Sequence, residues 1–205
     1  MSSQLILVTA GYDHSIKFWD VASGLPIHNI PFSDSHINKM AISTDRRYLA
    51  VAGHMVVKVY QLLATGAPDM TAGSESSFEG HTGNITALGF QRDNKWFFTA
   101  SEDGTLKIFD FKMSGFMRNF NNDGVMVNAA VLHPNQGEII FGDQSGRVRI
   151  WDLTEQVAKE LYIDAEETPI RSLAISRDAT KLVAGNNLGT CFIWESKNGE
   201  NFLPM

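Results

Sequence analysis

The chain has 205 residues, a formal charge of −6, 43% hydrophobic and 20% charged residues, close to the proportions of an ordinary globular protein. Wholesale disorder is excluded, because it needs low hydropathy and high net charge, and no basic surplus exists to hold nucleic acid or anionic lipid. The single cysteine, Cys191, excludes an intrachain disulfide framework and any multi-cysteine metal site, and points to a reducing, cytoplasmic compartment. The first apolar run, Leu5-Ile6-Leu7-Val8, has no basic flank. It is too short for a signal peptide or a membrane span, so no membrane insertion is expected.

Five similar segments then follow one another: SIKFWD ending at Asp20, VVKVYQ at Gln61, TLKIFD at Asp110, RVRIWD at Asp152 and TCFIWE at Glu195. Their aromatic residues, Trp19, Tyr60, Phe109, Trp151 and Trp194, are separated by 41, 49, 42 and 43 residues. A second marker keeps the same phase: Asp45, Asp93, Asn135 and Asp178 precede their aromatics by 15, 16, 16 and 16 residues. The position before each aromatic holds Phe18, Val59, Ile108, Ile150 or Ile193. Two residues earlier stand Ile16, Val57, Leu106, Val148 or Cys191, with Lys17, Lys58, Lys107, Arg149 or Phe192 between. Period two marks strands. In the third unit, residues 85–90 and 97–101 read as two earlier strands around the turn 91–95, and 116–120 as an outer fourth. Asp and Asn suit such turns because their side chains bond nearby backbone. Four strands in a unit of this length have the dimensions of a β-propeller blade. The expectation is therefore one all-β domain over residues 1–205, with units ending near 20, 61, 110, 152 and 195. The small-residue-rich stretch 64–77 accounts for the long interval and reads as a flexible bottom-rim loop between the third and fourth strands of a blade.

Gly80-His81, the strand ending Ser101-Glu102-Asp103-Gly104, and Phe109-Asp110 resemble a nearly full repeat of the WD40 family, and the resemblance spans nearly the whole chain. It implies that a His, a Ser or Thr, a turn Asp and a Trp brace a blade through hydrogen bonds. Carried onto this sequence, the brace falls on His81, Thr99 and Asp103, with Phe109 replacing the indole. In the first unit it falls on Thr9, Asp13 and Trp19, and in the fourth on Ser145 and Trp151. The second and fifth units are degenerate. A closer similarity joins Thr9-Ala10-Gly11-Tyr12-Asp13-His14, Leu132-His133-Pro134-Asn135-Gln136 and Gly142-Asp143-Gln144-Ser145-Gly146 to the small WD40 subunit of target-of-rapamycin (TOR) kinase complexes. That resemblance implies a seven-bladed propeller without cofactor or chemistry of its own, which docks on a TOR-type kinase and its complex subunits. The departure is one of extent. About eighteen strands can be counted from Leu5, where seven four-stranded blades need about twenty-eight, and the first blade lacks its innermost strand. The expected shape is an open arc of about four complete blades plus a partial first one, whose bare faces and edges favour self-association. A fragment, a splice form or a ring completed by something else all fit this reading.

No HxH, HExxH, GxSxG or GxxxxGK[ST] pattern occurs, so neither metal nor nucleophile chemistry is indicated. His81 with Asp103 reads as a brace, His133 as a solvated turn histidine, and Cys191 as a small core hydrophobe. The column Lys17, Lys58, Lys107 and Arg149 reads as stems covering apolar surface with wet heads. Repeat phase sends the fourth-to-first and second-to-third connections to one rim, the one propellers commonly use for partners. Candidate contacts there are Asn38, Thr86, Asn128 and Arg171, facing Tyr12, Glu102, Gln144 and Asn187 across each blade. Tyr12 and Arg171 lead, since Tyr and Arg are enriched among dominant interface residues. A non-catalytic kinase scaffold is the leading function. A general adaptor reading a peptide or modified tail across the same rim, with Tyr12 and Glu102 as cage residues, is the alternative. A truncated product with little independent function is a further one.

Overall fold

The computed structural model describes residues 5–32, 35–71, 73–111, 115–161, 163, 168–197 and 201–205. Among these, every regular element is a strand. The first sheet holds β1 (Ile6–Ala10), β2 (Ser15–Asp20) and β3 (Pro26–Pro31) in that order. Next come β4 (Lys39–Ile42), β5 (Tyr48–Ala52) and β6 (His54–Gln61), then a long β7 (Glu75–Phe90). The first part of β7 pairs with β6, and its second part with β8 (Trp96–Ser101). β9 (Thr105–Asp110) and β10 (Phe116–Asn121) complete that blade, so two blades share one seven-stranded sheet through β7. The chain changes blade at Gly80, whose φ of 138° is a backbone region L side chains rarely adopt. β11 (Val127–Leu132), β12 (Glu138–Asp143), β13 (Val148–Asp152) and β14 (Ala158–Leu161) form the fourth blade. β15 (Ile170–Ile175), β16 (Lys181–Asn186), β17 (Cys191–Glu195) and β18 (Leu203–Pro204) form the fifth. All pairs are antiparallel.

The five repeat aromatics lie in β2, β6, β9, β13 and β17, equivalent third strands of a blade whose first member lacks an inner strand. The turn residues act as their type requires. Asp45 Oδ1 accepts from the Arg47 N–H at 3.1 Å, Asn135 Oδ1 from the Gly137 N–H at 2.9 Å, and Asp178 Oδ1 from the Thr180 N–H at 3.1 Å. The next residue in each turn, Arg46, Asn94, Gln136 or Ala179, takes positive φ. Side chains alternate between two faces of each sheet, and the second, third and fourth blades meet a neighbouring blade on both. Four apolar clusters result, each joining consecutive blades. Phe98, Leu106 and Ile108 of the third blade, for example, pack on Ile139, Phe141 and Trp151 of the fourth. No cluster of described residues joins the fifth blade to the first, and the shape is an open partial propeller.

Two expectations are corrected here. The stretch 64–77 does not remain a loop to its end: residues 75–77 pair with Tyr60, Val59 and Lys58, because β6 needs a partner for its outer backbone groups. Ser74 just before them is buried, its hydroxyl donating to the Thr71 carbonyl at 2.7 Å. Cys191 is exposed rather than in the core. Its equivalents Ile16, Val57, Leu106 and Val148 are fully buried by a following blade, and no described residues form such a blade over its own face.

Candidate partner-binding rim

The third blade carries the most complete internal polar network. His81 Nδ1 lies 2.9 Å from Asp103 Oδ2 and His81 Nε2 lies 2.7 Å from Thr99 Oγ1. A carboxylate only accepts, so Nδ1–H donates to Asp103 and Nε2 accepts the Thr99 hydroxyl. Asp103 also receives the N–H groups of Thr82 and Thr105 and the Thr105 hydroxyl. Burial raises its pKa, but the bonds from Thr105, Thr82 and His81 outweigh that and bring it to about 2. For His81, burial is the main cause and lowers the pKa; Asp103 opposes this and Lys107 adds to it. The order hydroxyl, imidazole, carboxylate is that of a nucleophile with its base and orienting acid. Thr99 is wholly buried and His81 nearly so, so no substrate atom can approach the hydroxyl. The network lies inside the blade and links β7, β8 and the turn before β9.

The other units differ. Trp19 Nε1 donates to Thr9 Oγ1 at 2.8 Å, while Asp13 pairs with Lys17 at 2.6 Å. In the fourth unit Ser145 and Trp151 do not meet. Trp151 Nε1 donates to the Glu155 carbonyl at 2.9 Å, and the Ser145 hydroxyl donates to Asp143 at 2.7 Å. The slot ten residues before the aromatic, held by Thr9 and Thr99, is there filled by buried Phe141, which removes the indole's side-chain acceptor. Buried Asp143 takes over as the organising carboxylate. It accepts from Asn122 Nδ2 at 3.1 Å, and Arg149 donates to Asn122 Oδ1 at 2.7 Å. His133 is also corrected from its solvated reading. It is buried, its Nδ1 accepts the Asn135 N–H at 3.1 Å, and its ring stands edge-on to Phe202. The basic column is engaged within the blades: Lys17 on Asp13, Lys58 on Glu75, Lys107 on Asn119, Arg149 on Glu160.

The candidate rim residues divide into stitches and free surface. Thr86 Oγ1 donates to the Val127 carbonyl at 2.6 Å, and Asn128 Nδ2 to the Ile170 carbonyl at 3.0 Å. Both tie their blade to the first strand of the next. Asn128 also bonds Gln144 at 3.1 Å, and Arg171 Nε donates to Asn187 Oδ1 at 2.6 Å. Glu102 is held by Asn84 Nδ2 at 2.8 Å instead of by Thr86. Asn38 is half-buried and donates its N–H to the Ala52 carbonyl. Tyr12 is 75% exposed, its carbonyl bonded to His36 Nδ1 at 3.2 Å. Glu102, Gln144, Arg171 and Asn187 are likewise exposed. His36 and Asn84 were missed by sequence reasoning, although each stands two residues before a chosen rim position, Asn38 and Thr86. The repeat phase itself was the signal for them. Among the described residues no cluster of His, Cys, Asp and Glu is arranged to hold a metal, and no helix is long and apolar enough to cross a membrane.

Comparison with known proteins agrees with this architecture. Residues 2–20 and 73–110 match the WD40 family pattern, described as WD domain, G-beta repeat. Over 195 residues the chain is 42% identical to target of rapamycin complex subunit wat1 of Schizosaccharomyces pombe, covering 95% of this chain and 60% of that protein. It is 42% identical to target of rapamycin complex subunit LST8 of Saccharomyces cerevisiae over 194 residues, covering 95% of this chain and 62% of that one. The LST8 subunit of Mus musculus is 35% identical over 199 residues, covering 97% and 59%. The chain thus spans about 60% of the length of the curated relatives it matches. With five repeat units in phase, blades joined face to face and a His-Thr-Asp network in the best-formed repeat, the chain resembles the WD40-repeat proteins.

Proposed function

We propose that the chain is a non-catalytic scaffold subunit of a cytoplasmic TOR-type kinase assembly, docking on the kinase and its complex subunits through the rim that carries Tyr12, Glu102, Gln144, Arg171 and Asn187. The observation that carries this reading is similarity along 95% of the chain to subunits of target of rapamycin complexes. The sealed Thr99–His81–Asp103 network supports a binding role over an enzymatic one. Tyr12 and Arg171 offer the residue types that dominate interface energetics, on a surface already stiffened by the stitches at Thr86 and Asn128. The test is affinity purification of the chain from native cells, with partner identification. A TOR-type kinase should be recovered, and Tyr12→Ala with Arg171→Glu should reduce it while Arg46→Glu on the opposite rim does not. A recovery dominated by chaperones would overturn the scaffold reading, and partners without any such kinase would favour the general adaptor.

A further inference from the structure

A pocket of about 510 Å³ opens on the same rim between the first two blades, and its lining includes Tyr12, His14, His36, Asn38, His54 and Asn84. Its hydrogen-bonding character follows from its neighbours. The Tyr12 carbonyl can only accept, so the 3.2 Å contact fixes the proton of His36 on Nδ1. Asn84 Nδ2 donates to the Glu102 carboxylate at 2.8 Å, which leaves Asn84 Oδ1 facing His54 Nδ1 at 3.1 Å. That oxygen also only accepts, so His54 carries its proton on Nδ1 too. With that tautomer in each ring, Nε2 is the lone-pair nitrogen, with no partner among the described residues. The Tyr12 and His36 rings lie 4.6 Å apart, as do those of His14 and His36, forming a tiled aromatic surface. Among the described residues the lining carries no Lys, Arg, Asp or Glu. Nearby, Glu102 stands behind Asn84, Asp13 is neutralised by Lys17, and Lys39 extends from β4.

We infer that this pocket receives an arginine side chain of a partner protein, an inference that rests on the reading of this rim as the partner face. A guanidinium stacks flat on aromatic rings and supplies several N–H donors in a fixed plane, which suits imidazole acceptors beside tiled rings. An acidic group would find donors in the Tyr12 hydroxyl and the Asn38 amide but would face the two Nε2 lone pairs, and the overall charge of −6 also favours a cationic guest.

The full chain, with its imidazole nitrogens followed by NMR, tests this. The probes are the capped peptide Gly-Gly-Arg-Gly-Gly, its citrulline counterpart and Zn²⁺ ions. At about pH 7.5 the arginine peptide should shift His36 and His54 Nε2, and citrulline should bind about tenfold more weakly for the loss of a charged donor. His36→Phe should weaken binding by a similar factor with the melting temperature held; the wild-type citrulline comparison decides should that variant misfold. Equal binding of both peptides, a response to Zn²⁺ alone, or no movement of either ring would overturn the inference. Recovery of the kinase by the unmodified chain, measured in parallel, separates the two readings. Kinase recovered with silent rings removes only the arginine site, and ring shifts without kinase recovery remove only the kinase scaffold.

Discussion

Thr99, His81 and Asp103 lie end to end with every polar atom of the imidazole engaged. Removing the ring strands a buried hydroxyl and a carboxylate, so His81→Ala should cost about 1–3 kcal/mol, read as a lower denaturation midpoint. An unchanged midpoint would contradict the bracing role. The same residues set an acid response. Both pKa values fall on folding, so the unfolded chain takes up more protons in acid, and the stabilisation is full only above the unfolded values. For His81 it fades as the pH falls below the ordinary 6.5. For Asp103 it fades between 3.8 and about 2, a contribution of about 2 kcal/mol. Stability curves between about pH 7 and pH 5 should therefore slope downward in acid for the wild type and less so for His81→Ala. Parallel slopes would mean that this histidine titrates alike in both states.

At the level of strands and sheets, equivalent residues differ in worth according to what covers them. Ile150 in β13 is buried against the fifth blade, while Ile193, one unit later in β17, is 41% exposed. Ile150→Lys puts an unpaired charge into a packed interface and should cost about 4 kcal/mol or more, whereas Ile193→Lys should stay within about 0.5 kcal/mol. Paired thermal melts check this, and equal losses would mean that the outer face of the fifth blade is covered. The contrast also shows how far the sequence could be read. Period-two alternation and the recurring aromatics made the strands, their order and the arc legible, because those depend on local pattern. Cys191 occupies a legible core slot, yet its burial depends on a blade that local pattern cannot supply. Ser145 stands where Asp13 and Asp103 stand, but the partner of Trp151 was decided by Phe141 in the slot of Thr9 and Thr99. Likewise His133 looked like turn surface, while Phe202, far along the chain, closes over it. The continuity of β7 through Gly80 was hidden by a composition that reads as loop.

Across the whole arc, four core clusters of described residues join five blades in a row, and no described residues cover the outer sheet face at either end. On the first blade Leu7 is 53% exposed, although its equivalents Leu49, Phe97, Ile139 and Leu182 are fully buried. On the fifth, Ile193 and Cys191 are uncovered in the same way. Apolar sheet faces of this kind are association surfaces, and these two have the shapes that consecutive blades present to one another. The chain alone should therefore self-associate at about micromolar concentration, as bare apolar faces do. Sedimentation velocity should show species larger than one chain, and Leu7→Lys combined with Ile193→Lys should return the chain towards a monomer. The rim carrying Tyr12 and Arg171 lies on the connections, away from these faces, so kinase recovery should survive the double substitution. A wild-type chain that sediments as a compact monomer would show the end faces to be covered. Loss of kinase together with self-association would place the docking surface on the end blades instead of the rim.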